Sequence, residues 1–153
     1  MFYDYLKIFH ILSASLVLTS IAYSYQLWRS MQKSRNSFAQ FTRIRKQTAL
    51  VIVPGALVQL ATGFSLISLQ HYALSEGWVG SSITGFIVLI LSWMGFMYFL
   101  AAGQQNMALN GSETQSRFYR NAQSLMLMLC ALALTAMIYS MANRIAPLHS
   151  GAP

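Results

Sequence analysis

Charge is scarce in this sequence. Only 8% of its 153 residues are Asp, Glu, Lys or Arg, where a soluble domain carries about 25%. That is too little to cover a water-facing surface, which excludes an ordinary soluble globule. Acids are scarcest of all: three Asp/Glu stand against ten Lys/Arg, for a net charge of +7. No carboxylate pair is available for hydrolysis or for hydrolytic metal chemistry. A single cysteine, Cys130, excludes an intramolecular disulfide and any Cys-x-x-Cys motif; its plain reading is a small buried apolar residue. There is no glycine-rich phosphate loop, and no serine or cysteine nucleophile in a recognisable setting. No acid or base sits in mid-membrane, so a proton-coupled pump would lack its relay. No inverted repeat marks a transporter.

What is present is apolar. Hydrophobic residues make up 56% of the chain, and they gather into four long runs at about 5–28, 47–70, 83–103 and 122–142. At about 1.5 Å per residue the first run covers roughly 35 Å, enough for a tilted crossing. The expectation is one domain over 1–153: an all-α, four-helix transmembrane bundle, antiparallel and up-down. The first run is too long for a signal peptide, has Asp4 ahead of it and lacks an Ala-x-Ala site, so it reads as a retained span.

Charge placement orients the spans. The stretches 29–46 and 104–121 hold eight of the ten Lys/Arg, leaving Lys7 and Arg144 elsewhere. The positive-inside rule puts both stretches in the cytoplasm and both termini outside, an N-out/C-out arrangement in a bacterial inner membrane. The same cations point to membrane lipid as a partner and not to nucleic acid. Residues 29–46 read as the basic ends of two helices, with Phe38, Phe41 and Ile44 available as the edge of a short interfacial helix.

Each span has a distinctive face. His10, Ser13, Val17, Ser20 and Ser24 recur at helical spacing on the first span, opposite Ile8, Leu12, Leu16 and Ile21. Small hydroxyl residues let membrane helices approach closely and bond across the interface. Pro54-Gly55 should kink or loosen the second span, and Gly55, Gln59 and Gly63 follow on one stripe. A mid-membrane amide needs a partner; for Gln59 the candidates are Ser13, Ser20 and Ser92. Gly85, Ser92 and Gly95 give the third span a close-approach face, with Trp93 as a core residue.

On this topology His10, His71 and His149 all fall on the outer side, as do Met137 and Met141 at the end of the last span. Imidazole and thioether are ligands for haem iron or Cu(I). The candidate cofactor site is therefore His10, His71, Met141 and Gln59, with His10 as the metal ligand. An ionisable side chain at membrane depth is a functional candidate by default. Plainer readings stand beside these. The methionines serve as core filler, the loop and tail histidines as solvated residues, Gln59 as an interhelical bond, and His10 as a neutral histidine bonded to a neighbouring serine or backbone carbonyl.

Several pieces together resemble a known family. Leu6-Lys7-Ile8-Phe9-His10-Ile11-Leu12-Ser13-Ala14 is similar to the opening of a bacterial family of four-span integral membrane proteins of unknown function. Pro54-Gly55-Ala56-Leu57-Val58-Gln59-Leu60-Ala61-Thr62-Gly63 resembles its second-span motif. Phe118-Tyr119-Arg120 and Ile138-Tyr139-Ser140-Met141, with Pro147 beyond, look like its last third. The opening is also similar to that of the small membrane protoporphyrinogen oxidases, which resemble b-haem proteins, and of the CopD-type copper-resistance proteins. On that wider likeness His10 matches the first-span histidine implicated in haem or metal ligation, and a bis-histidine haem would need His71 or His149.

Two functions follow as expectations. One is a redox or cofactor-handling membrane protein holding b-type haem, with copper second, near the outer leaflet. The other is a non-catalytic accessory or assembly subunit of a larger membrane complex, with no cofactor. No catalytic residue is indicated, and the sequence leaves open whether the protein is an enzyme.

Overall fold

The computed structural model describes residues 2–32, 37–71, 77–110 and 116–143. Among them the chain is all-α. Helix α1 spans Phe2–Met31, α2 Ser37–Gln47, a π turn Thr48–Ile52, α3 Val53–Leu69, α4 Gly77–Asn110 and α5 Arg117–Asn143. Four helical stretches are long and apolar enough to cross a membrane: α1, the continuous run from α2 through α3, α4 and α5. The fold class and the number of spans are those expected, and the protein is an integral membrane protein.

The helices outrun the apolar segments. Residues 29–31, 37–46, 77–82, 104–110 and 117–121, expected outside the spans, are helical. Hydropathy marks where a chain meets hydrocarbon, whereas the backbone ladder continues as long as the residues tolerate it. Thus 29–46 does form the basic ends of two helices, with residues 33–36 outside the described part.

The chain forms two compact units, Met1–Tyr72 and Ala73–Pro153. The first is a hairpin of α1 against the α2–α3 run. Its distortion is the π turn, and proline explains it. Pro54 has no N–H to give the Leu50 carbonyl, and the Val53 N–H reaches back five residues to the Thr48 carbonyl. The ladder loosens just ahead of the proline, one of the two effects expected of Pro54-Gly55. One residue is extra in that turn, so the face that α2 shows α1 is rotated relative to that of α3.

The second unit is a hairpin of α4 and α5. Contacts climb α4 as they descend α5: Ser81 to Ser140 at 2.8 Å, Gly85 to Met137, the Leu89 carbonyl to the Cys130 thiol at 3.9 Å, Gly95 to Met126, and the Phe99 carbonyl accepting from the Gln123 amide at 3.0 Å. The two helices are antiparallel. A Cβ on Gly95 would lie 2.8 Å from the Met126 sulfur, and one on Gly85 would overlap Met137. These glycines are sockets for methionine, a small-residue packing that suits helices in lipid. Trp93 is buried, as expected, and packs on Phe96 with ring centroids 5.2 Å apart.

Candidate functional site

The site candidate lies in the first unit, on the face of α1 picked out by its spacing. Ser13, Val17, Ser20 and Ser24 are buried and His10 is half-buried, while Ile8, Leu12 and Leu16 are exposed. Ile21, placed with them as suited to lipid or to bulky packing, is buried; it lies one position round from Ser20 and shares the packed edge.

Two glycines on α3 let the helices close. A Cβ on Gly55 would lie 2.7 Å from Val17 Cγ2, and one on Gly63 would lie 3.3 Å from His10 Cε1. Between these two points four polar side chains join. His10 Nδ1 is 2.8 Å from Thr62 Oγ1, and His10 Nε2 is 2.9 Å from the Gln59 amide nitrogen. Ser13 Oγ donates to Gln59 Oε1 at 2.6 Å and lies 2.9 Å from the His10 carbonyl.

Donor arithmetic sets the tautomer. The Thr62 hydroxyl has one proton, directed at the Val58 carbonyl at 2.8 Å. An amide N–H₂ only donates, so with the Gln59 amide nitrogen 2.9 Å from His10 Nε2 that ring nitrogen accepts, and Nδ1 carries the hydrogen given to Thr62 Oγ1. Nε2 is left as the ring's single lone pair, and the Gln59 N–H₂ donates to it. Ser13 in turn holds the Gln59 oxygen. The ring is neutral and both of its nitrogens are used within the chain.

The expected partner of Gln59 on the first span, Ser13, is found. The His10–Gln59 and His10–Thr62 bonds were not anticipated, although helical spacing carried the signal: Gln59 and Thr62 are three apart on α3, as His10 and Ser13 are on α1. A second polar contact lies nearer the basic end. Gln47 donates to the Ser20 carbonyl at 3.2 Å and accepts from Ser24 Oγ at 3.4 Å.

Of the other candidates, His71 is the one whose surroundings the described residues show. His71 follows the α3 C-cap, is exposed, and has φ 53°. Its N–H bonds the Ser68 carbonyl at 3.2 Å, so it occupies the left-handed position that ends many helices. It is eight residues beyond Gly63, about 12 Å along a helix axis. Met141 is on α5, in the other unit, and its side chain lies outside the described residues, as does His149. Among the described residues no group of three or more His, Cys, Asp or Glu could hold a metal. An open groove of about 450 Å³ is lined by Phe2, Phe64, Ser65, Ser68 and Leu69, at the same end of the hairpin as His10, which is not part of its lining.

No curated protein and no solved structure matches the chain. A family model described as predicted integral membrane protein (DUF2269) matches residues 4–145, nearly the whole length, and the chain belongs to that family.

Proposed function

We propose that this protein binds b-type haem through His10, for a redox or cofactor-handling role in a bacterial inner membrane. Copper at the same histidine is the lesser form of this reading. The basic ends of the helices would face the cytoplasm and His10 the outer leaflet. The carrying observation is the His10 to Thr62 bond of 2.8 Å. A ligating histidine characteristically gives its other ring N–H to a fixed acceptor, which sets tautomer and orientation. Thr62 plays that part here and leaves Nε2 as the lone pair. Its occupant, Gln59, is a neutral amide that Ser13 also holds, so it can let go of the ring and keep a partner. Bound haem would supply one-electron chemistry; the chain supplies one ligand, its orientation and a small-residue wall.

A second reading has its own support. All four polar side chains find partners without any ligand, which is what a purely structural clamp in an accessory or assembly subunit requires.

Absorption spectra of the detergent-purified protein, air-oxidised and dithionite-reduced, separate the two. A Soret band with sharp reduced α and β bands, lost in His10→Ala and shifted in Thr62→Val, is the expected result. A featureless spectrum at normal yield, after haem supplementation, ends the haem reading. Metal analysis of the same sample then decides between copper and the accessory role.

A further inference from the structure

The run from α2 to α3 is too long for the hydrocarbon. Its 32 residues from Phe38 to Leu69 rise about 48 Å against a core of about 30 Å. The surplus is at the basic end: after Phe38 and Ala39 the exposed residues are Thr42, Arg43, Arg45 and Lys46, and from Ala49 and Leu50 through Val53 and Leu57 they are apolar.

Two further marks locate the head-group level. Ser24 meets Gln47 at 3.4 Å, which sets the exposed Tyr23 and Tyr25 of α1 level with the start of the π turn. Tyrosines at such a level form the aromatic belt of an interface. Just outside them stand the cations. Arg43, Arg45 and Lys46 are exposed, while Ile44 between them is fully buried. At about 100° per residue, these three cover every side of α2 except the side of Ile44. Arg29 ends α1 at the same level, its guanidinium 5.9 Å from the Tyr25 ring centroid.

The cations are held, not strung along a loose loop. Gln40 donates to Ser30 at 3.1 Å, Gln47 donates to the Ser20 carbonyl, and Ile44 is packed. The one acid of the first unit, Asp4, is at the far end of α1, about 37 Å away along the helix.

From this placement we propose that Arg29, Arg43, Arg45 and Lys46 form a collar that binds the head groups of surrounding anionic phospholipids. The level of these cations decides the kind of partner. They stand just outside the exposed Tyr23 and Tyr25 and the exposed apolar run from Ala49, at the depth of the lipid head groups; Arg43 and Lys46, three apart, share one face of α2, and Arg45 is turned about 100° from Lys46. Surface cations each add to anionic-lipid attraction, and the collar fixes the depth of a helix that is otherwise free to slide.

Native mass spectrometry of the full-length protein from neutral detergent tests this, with phosphatidylglycerol and phosphatidylcholine added in equal amounts. The wild type should retain phosphatidylglycerol in at least about fivefold excess. Arg43→Gln/Arg45→Gln/Lys46→Gln should lose that excess, and Lys7→Gln, at the other end of α1, should keep it. A second measurement needs no variant: phosphatidylglycerol should raise the wild-type Tm and glycerol phosphate should not. Equal retention of the two lipids by the wild type, an excess that survives the triple substitution, or equal stabilisation by glycerol phosphate would each overturn the proposal.

Discussion

The two hairpins solve one problem in different ways. Helices in lipid gain little from hiding apolar surface from each other, so close packing and hydrogen bonds must hold them. The α4–α5 hairpin relies on shape, with Met137 and Met126 seated against Gly85 and Gly95. Among the described residues its helices also bond at the Leu89 and Phe99 carbonyls and between Ser81 and Ser140. The α1–α3 hairpin also has a glycine contact, at Gly55, but adds a connected set of side chains centred on His10. Shape alone can join helices. A connected polar set also fixes which nitrogen carries a proton and where a lone pair points, and that is why the candidate chemistry sits in the first unit.

The comparison can be broken most severely at Gly55. Leu there would drive into Val17, a β-branched side chain with little freedom on a helix. Gly55→Leu should cost about 1–3 kcal/mol or more in equilibrium unfolding in mixed micelles. Gly77→Leu, with nothing within 4 Å of its Cβ, should cost far less, and Val17→Ala should recover part of the Gly55→Leu loss. Similar losses at Gly55 and Gly77 would mean that close approach is not what holds the first hairpin.

Next in size is the polar set. His10→Leu and Gln59→Leu should each destabilise, and the double variant should lose less than the two singles together. The coupling should lie at about 0.6–1.7 kcal/mol, the range for hydrogen bonds between membrane helices. Strict additivity would dismiss the connected set as a collection of independent contacts.

The smallest effect belongs to the second hairpin. Gln123→Leu removes its donor to the Phe99 carbonyl and should cost about 0.6 kcal/mol. A loss as large as that of Gln59→Leu would erase the contrast between the units.

Much of the fold was legible because membrane solvation is a severe filter. Apolar runs of this length with almost no charge admit only helices, and the face carrying His10, Ser13, Val17, Ser20 and Ser24 followed from spacing alone. That Gln59 needs a partner, with Ser13 one of three candidates beside Ser20 and Ser92, followed from the cost of an unpaired amide in the membrane; the structure chose Ser13. The helix ends did not follow, because hydropathy is silent once a helix leaves the hydrocarbon. Nor did the role of His71, because a left-handed capping position is visible in φ and not in residue type, His being one of several that adopt it.

The sequence by itself determined the solvent, the number of spans, the secondary structure and the inward face of the first helix. All of these depend on composition and on a period of 3.6 residues. Only the tertiary structure decided that His10 meets both Gln59 and Thr62, that the tautomer leaves Nε2 as the lone pair, and that the π turn brings Gln47 to Ser20 and Ser24. Those outcomes depend on the rotation and register of α3 against α1 to within an ångström. Glycine contacts and a proline-loosened ladder fix these, and no pattern along a single helix encodes them.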